Sequence, residues 1–302
     1  MFARESRSKP SPCPKISFTV LLTLAAGLQH VGVRADEADP ALTPTTINTS
    51  PGPKYADNTR KFQGIPGIER AANGRLWAVW YAGGPDEQAE GPGNYVVLVT
   101  SGDDGDTWSA PCLVIDPAGP VRAYDPCLWH DPKGVLWLFW AQSYNWWDGR
   151  SGVWCITTEE SGIDSPQWSA PRRLCNGIMM NKPTVRSNGE WLLPASVWAQ
   201  AATERTPAEF RNDLGEENGA NVHVSTDQGL TWKLSGQVHV PNRVFDEHMI
   251  VERRDESLWM LVRAAYGIGE SFSQDGGKTW TAGRRSRIPH VNARFFIRRL
   301  HS

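Results

Sequence analysis

No apolar run past residue 28 of this sequence is long enough to cross a bilayer. Helical periodicity is missing from every long stretch, which argues against a helical bundle. Excess charge of one sign is missing too: 31 Lys and Arg stand against 33 Asp and Glu. Residues 1–35 carry a net of +4, which leaves −6 for the remainder of a chain whose formal charge is −2. A mildly acidic body has no electrostatic footprint for nucleic acid or anionic lipid. Cysteine is sparse, and Cys112, Cys127, Cys155 and Cys175 lack the C-x-x-C spacing of a zinc site. Their expected state is free thiols buried in strands, with one disulfide as the alternative. His223, His239 and His248 are scattered, so no metal is expected, and no nucleophile elbow or phosphate loop suggests another cofactor.

The N-terminus reads as an export signal. A basic stretch ends at Lys15, the apolar run Ile16–Leu28 follows, and Val33-Arg34-Ala35 puts small residues around a cleavage point. The expectation is a secreted or periplasmic protein with a signal peptide over 1–35 and no stable membrane insertion after cleavage. Residues 36–60, rich in Pro, Thr, Asp and Asn, read as a flexible tether.

After residue 60 the sequence repeats itself. An apolar strand, a tight turn and a second apolar strand recur, as in Ile65–Ile68, Asn73-Gly74 and Leu76–Trp80. The unit returns at Asp125–Leu128 with Lys133-Gly134, at Lys182–Val185 with Asn188-Gly189, and at Glu247–Val251 with Asp255-Glu256. A fifth copy begins at Ala293. A second motif, S-x-D-x-G-x-T-W, alternates with the first at 101–108, 225–232 and 273–280, with a decayed copy at 161–168. Its Asp side chain suits bonds to turn amides, and its Trp suits packing under the turn. Together the motifs give about four strands per 45–65 residues, the size of a propeller blade. The expected fold is all-β: a propeller over 61–302 with four blades and the start of a fifth.

The S-x-D-x-G-x-T-W copies resemble the Asp boxes of sialidases and BNR-repeat proteins. That resemblance implies a six-bladed propeller, so the chain reads as incomplete at its C-terminus. It also implies an exo-glycosidase acting on terminal, acidic sugars of extracellular glycans; the alternative is a propeller that binds glycans without chemistry. The family uses a Tyr nucleophile with a Glu partner, an acid/base Asp on a loop, and three arginines that grip the substrate carboxylate bidentately. Glu247 and Arg263 match the family's Glu and the arginine across its hairpin. The acid/base position falls in the loop 83–95, on Glu90 first and Asp86 second. The family's first arginine is replaced by Gly64, and Arg122 in the next blade is the candidate to compensate. No tyrosine matches the nucleophile by position.

The repeat itself points to convergence. If the X-Pro strands are innermost, their leading residues meet at the axis: Gly64 and Ile65, Tyr124 and Asp125, Asn181 and Lys182, Asp246 and Glu247, and Asn292. Asp125, Asn181, Lys182 and Asp246 therefore join Arg122 and Arg263 as expected substrate contacts. Trp146 and Trp147, on a loop, are candidates to stack on a sugar ring.

Overall fold

A computed structural model describes residues 39–198, 208 and 214–298. The leader expected at 1–35 lies outside them, as do the chain's last four residues. Four antiparallel sheets make four propeller blades. Blade 1 is β2 (Phe62–Arg70), β3 (Leu76–Gly83), β4 (Tyr95–Ser101) and β5 (Leu113–Ile115), with β1 (Ile47–Asn48) added at its outer edge. Blade 2 is β6 (Val121–His130), β7 (Leu136–Tyr144), β8 (Asp148–Thr158) and β9 (Arg172–Asn176). Blade 3 is β10 (Thr184–Val185), β11 (Trp191–Val197), β12 (Gly219–Ser225) and β13 (Lys233–Val238). Blade 4 is β14 (Arg243–Glu252), β15 (Leu258–Ala264), β16 (Gly267–Ser273) and β17 (Arg284–Arg285).

The core lies between blades, because both faces of each middle strand are covered. On β7, Leu136, Leu138 and Trp140 pack toward blade 1, while Trp137 and Phe139 pack toward Trp191 and Leu193 of blade 3. This is the two-residue period of a strand with an apolar neighbour on each side. Leu192, Val222, Ile250 and Met260 fill the next interface, between blades 3 and 4. Each such large side chain contributes about 1.5–3 kcal/mol by leaving water. The hairpins inside blades 1 to 3 turn on Gly74, Gly134 and Gly189, all at positive φ. Blade 4 makes the same turn with Glu256 at φ +63°.

The Asp boxes join the third and outer strands of blades 1, 3 and 4. In blade 3, Asp227 accepts from the Thr231 amide at 2.9 Å and from its hydroxyl at 2.6 Å. Ser225 Oγ donates to Asp227 at 2.7 Å and accepts from the Gly229 amide at 2.7 Å. Asp103 and Asp275 repeat the arrangement with Thr107 and Thr279. These bonds to the charged form pull Asp103 and Asp227 down to about 2. Trp232 and Trp280 pack on the core as expected, whereas Trp108 is largely exposed. The decayed copy works between blades instead. Trp77 Nε1 donates to Ser161 O at 2.8 Å, and Trp168 packs edge-on against the Trp77 ring.

Two expectations change. Residues 39–60, read as a tether, lie on the blades. Gln142 donates to the carbonyls of Ala41 and Thr43, β1 pairs with β5, and Tyr55 covers the outer face of blade 1. The fifth inner strand expected from Ala293 is not a strand over 293–298. Phe295 and Ile297 instead pack on Met249, Leu261 and Ile268 of blade 4. The Cys112, Cys127, Cys155 and Cys175 thiols are free, and all but Cys112 are buried.

Candidate functional site

Three of the inner strands break at the same point of the repeat. Pairing of β2 with β3 skips between Gly64 and Gly67, with Ile65 at φ +52°. Pairing of β6 with β7 skips between Tyr124 and Cys127, with Asp125 at φ +47°. In β14 the skip runs from Asp246 to Met249, and Phe245, Asp246 and Glu247 have φ of +53°, +49° and +41°. Left-handed backbone at residues other than glycine costs about 1–3 kcal/mol each. Bulges of this kind re-aim side chains and collect at functional sites.

The re-aimed groups form a cluster of carboxylates and guanidiniums. Arg122 is fully buried, with its guanidinium 3.8 Å from the Tyr124 ring centre and facing Tyr81 and Trp146 at 5.8 and 5.6 Å. Its Nη2 donates to Glu90 at 3.1 Å, while Nε and Nη1 are buried without a hydrogen-bond partner. Arg263 Nη1 donates to Glu247 Oε1 at 2.7 Å, and Glu247 Oε2 is buried and unpartnered. Arg263 Nε donates to Asn292 at 2.8 Å. Asn181 Nδ2 donates to the carbonyls of Glu247 and His248 at 2.8 and 3.2 Å, tying blade 3 to the bulge of blade 4.

Asp125 sits within the field of Glu90, Glu247, Arg122 and Arg294. Burial lifts it to about 7, against the pull of Arg122. Burial also raises Glu247, opposed by Arg263 and Arg294. Burial pushes the phenols of Tyr81 and Tyr124 up. Among the described residues no tyrosine hydroxyl is hydrogen-bonded to Glu247.

The expected residues thus divide. Glu90, Arg122, Asp125, Glu247, Arg263 and Asn181 come together. Asp86 does not: it is exposed on the same loop as Glu90. Lys182 does not: its amine turns to an ion pair with the buried Glu69, because its long stem reaches past the bulge. Asp246 is buried beside Glu247 but faces Arg243, 3.0 Å away in an ion pair without hydrogen-bond alignment. At Gly64 a Cβ would lie 3.0 Å from the Phe62 ring and 3.5 Å from Tyr81, so a side chain there would meet two aromatic rings. Arg122 reaches the neighbouring face of Tyr81 from blade 2. Arg294, which also donates to Met180 O, was not expected. Its place in the fifth copy of the inner-strand motif was the available signal.

The bulge of blade 4 also predicts an acid response. His248 follows Glu247, is buried, and donates from Nε2 to Asn221 O at 2.7 Å; His223 is buried nearby. Burial drops both imidazoles from 6.5 to about 4. Below pH 6.5 the unfolded chain takes up protons that the folded chain refuses, so stability falls until about pH 4. Each histidine accounts for on the order of 3 kcal/mol over that window. Thermal melting of His223→Gln is expected to lose less between pH 7 and 4 than the parent; an unchanged slope refutes the assignment.

The profile of the BNR repeat-like domain family matches residues 74–302. Among curated proteins none matches the chain. Among solved structures, a protein of unknown function from Dyadobacter fermentans DSM 18053 is 18% identical with a TM-score of 0.58, over 83% of this chain and 74% of that one. The Hadza microbial sialidase Hz136 is 16% identical with a TM-score of 0.55, over 78% of this chain and 48% of that one. The intramolecular trans-sialidase from Ruminococcus gnavus is 12% identical with a TM-score of 0.53, over 79% of this chain and 73% of that one. The chain therefore spans about half the length of the Hadza sialidase. At these identities the likeness is one of fold. Carrying the family's repeat over three quarters of its length, the chain belongs to the BNR repeat-like domain family and is a propeller of the sialidase type.

Proposed function

We propose that this protein is a sialidase-like exo-glycosidase that removes terminal acidic sugars from extracellular glycans. The observation that carries the reading is Arg122: a fully buried guanidinium with two donors unpartnered, in a field of carboxylates at the bulged ends of the inner strands. Unpaired buried donors are costly, and a carboxylate that takes Nη2 from Glu90 can bind it together with Nε or Nη1 as a fork. Arg263, and Arg294 close by, add positive charge to the same place. In the absence of ligand, Glu90 and Glu247 occupy the two arginines. A substrate carboxylate exchanges with Glu90, whose side chain is partly exposed and so leaves readily.

The acid in this reading is Asp125 and not Glu90, which is engaged with Arg122: holding its proton to about pH 7, Asp125 protonates the glycosidic oxygen as the bond breaks. Glu247 takes a proton from the water that attacks the anomeric carbon, so that the new C–O bond forms as the bond to the leaving sugar breaks. The Ruminococcus gnavus trans-sialidase was solved with oseltamivir carboxylate, a carboxylate ligand of that protein, which fits the same logic. The basic-apolar N-terminal segment supports export, and among the described residues no helix is long and apolar enough to cross a membrane.

The test is hydrolysis of a fluorogenic aryl α-sialoside by the secreted protein. Turnover is expected, reduced about 10²–10⁴-fold in Glu247→Gln. No turnover by folded protein, with binding of the acidic sugar retained, instead favours the glycan-binding reading.

A further inference from the structure

The decayed Asp box does something that the intact ones do not. In blades 1, 3 and 4 the first serine of the motif spends its hydroxyl on the motif's own aspartate: Ser101 on Asp103 at 2.7 Å, Ser225 on Asp227 at 2.7 Å and Ser273 on Asp275 at 2.9 Å. In blade 2 Ile163 stands where that aspartate would be, two residues after Ser161. The Ser161 hydroxyl lies instead 3.0 Å from Nε2 of His130, the last residue of β6. Nδ1 of the same ring lies 3.1 Å from Oε2 of Glu69, near the end of β2. Glu69 is buried, and its other oxygen is ion-paired with Lys182. A carboxylate only accepts, so Nδ1 carries the ring's proton and Nε2 accepts from the serine. Burial also lowers His130, which favours the neutral imidazole.

Serine, imidazole and carboxylate thus stand in the order, and at the spacing, that make a hydroxyl nucleophilic. The turn meets a second requirement. Ile163 N donates to Glu160 O at 3.1 Å, which puts Ser161 and Gly162 at the turn's two central positions. The central amides of such a turn have no acceptor within it. Successive N–H groups beside the hydroxyl are suitable donors to the oxygen of a tetrahedral intermediate. The place is separate from the carboxylate and guanidinium cluster. Glu69 and His130 lie past the bulges at Gly64 and Asp125 by five residues each, roughly 15 Å along the inner strands at about 3.3 Å per residue. Ser161 is only 6% exposed, and His130 lines a cavity of about 510 Å³ with Trp129, Lys182 and Phe296. Narrow access to the serine selects a small acyl group, and the cavity has room for the alcohol that carries it.

We propose that Ser161, His130 and Glu69 form a second hydrolytic site, which cleaves acetyl esters. Ser161 Oγ bonds to the ester's carbonyl carbon as its proton passes to His130 Nε2. The C–O bond to the alcohol then breaks, and the alcohol leaves with that proton. Water attacks the acetyl-serine and gives a proton to His130. Acetate departs, and Ser161 takes the proton back. One water is consumed and nothing is oxidised or reduced. Glu69 acts as a positioning residue that holds the tautomer.

The full-length protein is treated with diisopropyl fluorophosphate and the modified peptide located by mass spectrometry; hydrolysis of 4-nitrophenyl acetate is followed in parallel. Label is expected on Ser161, and Ser161→Ala is expected to lower kcat/KM about 10³-fold or more with an unchanged melting temperature. His130→Gln is expected to abolish labelling. Glu69→Gln is expected to lower kcat about 10²–10⁴-fold at constant KM, which a merely structural bond would not do. A folded parent that takes no label on Ser161 overturns the proposal. So does label on Ser161 without ester turnover, or turnover that survives in Ser161→Ala.

Discussion

Asp125→Asn is expected to slow turnover about 10²–10⁴-fold and, at pH 8, to make the protein more stable. Both effects have one source. The carboxyl is buried at a left-handed backbone position, φ +47°, and burial lifts it from 3.8 to about 7. Between those values the unfolded chain has lost its proton and the folded chain has not. Stability therefore declines as pH rises through the window and levels off above about pH 7. Lifting the carboxyl from 3.8 to about 7 corresponds to on the order of 4 kcal/mol at pH 8, which an amide does not incur. Asn also tolerates the left-handed conformation, so the backbone is preserved. Activity moves the other way, because an amide has no proton to give. In the parent, kcat/KM is expected to fall as pH rises above about 7, and in Asp125→Asn that limb disappears. Aryl glycosides with good leaving groups need less protonation and lose less. Melting curves from pH 4 to 8 and a leaving-group series measure the two halves separately. A variant that is less stable at pH 8, or that keeps full activity on poor leaving groups, removes Asp125 from the mechanism.

The histidines oppose that trend. His223 and His248 lose stability on acidification, whereas Asp125 and Asp246, both lifted to about 7, gain it. The whole-protein pH profile is a difference of these terms, and only comparison of variant with parent isolates one of them.

The blades were legible because their signals are local. In each Asp box the Ser, Asp, Gly and Thr bond one another within four residues, so the sequence carries its own turn. Alternation on β7 likewise announces a strand covered on both faces. The site was legible to the extent that the repeat fixes which residues stand at the bulges. Glu247, Asp125 and Asn181 followed from that register. What the register does not fix is where a long side chain ends. Lys182 and Asp125 hold the same place in the motif, yet the four-carbon stem of Lys182 carries its charge to Glu69, two blades away in sequence. Asp86 and Glu90 share one glycine-rich loop, and only the loop's folded path decides which meets Arg122. Gly64 could be read as a missing arginine, but not as a place where a side chain would meet Phe62 and Tyr81. Arg294 was hidden because its segment, though written like an inner strand, lies on the face of blade 4 instead.

Arg122→Met is expected to remove selectivity for acidic over neutral sugars with little loss of fold. The guanidinium is fully buried, holds one partner, Glu90, and leaves two nitrogens unsatisfied. A buried charge with so few bonds is a weak source of stability, and an apolar side chain of similar length is neutral or better in such a position. Glu90, left behind, has a 43% exposed side chain and is rehydrated. Binding suffers instead. Loss of a buried bidentate partner for a carboxylate corresponds to about 2–5 kcal/mol, which raises KM roughly 30- to 4,000-fold for an acidic substrate. The methyl ester of the same substrate, which has no negative charge to clamp, is expected to change far less. Arg122→Lys separates charge from geometry. It keeps the cation over Tyr124 but lacks the planar fork, so it is expected to recover only a small part of the acid-over-ester preference. KM ratios for acid and ester across the parent, Lys and Met forms give the result in one experiment. Equal ratios in all three forms place the substrate's carboxylate elsewhere, and the two open nitrogens of Arg122 then belong to another acceptor.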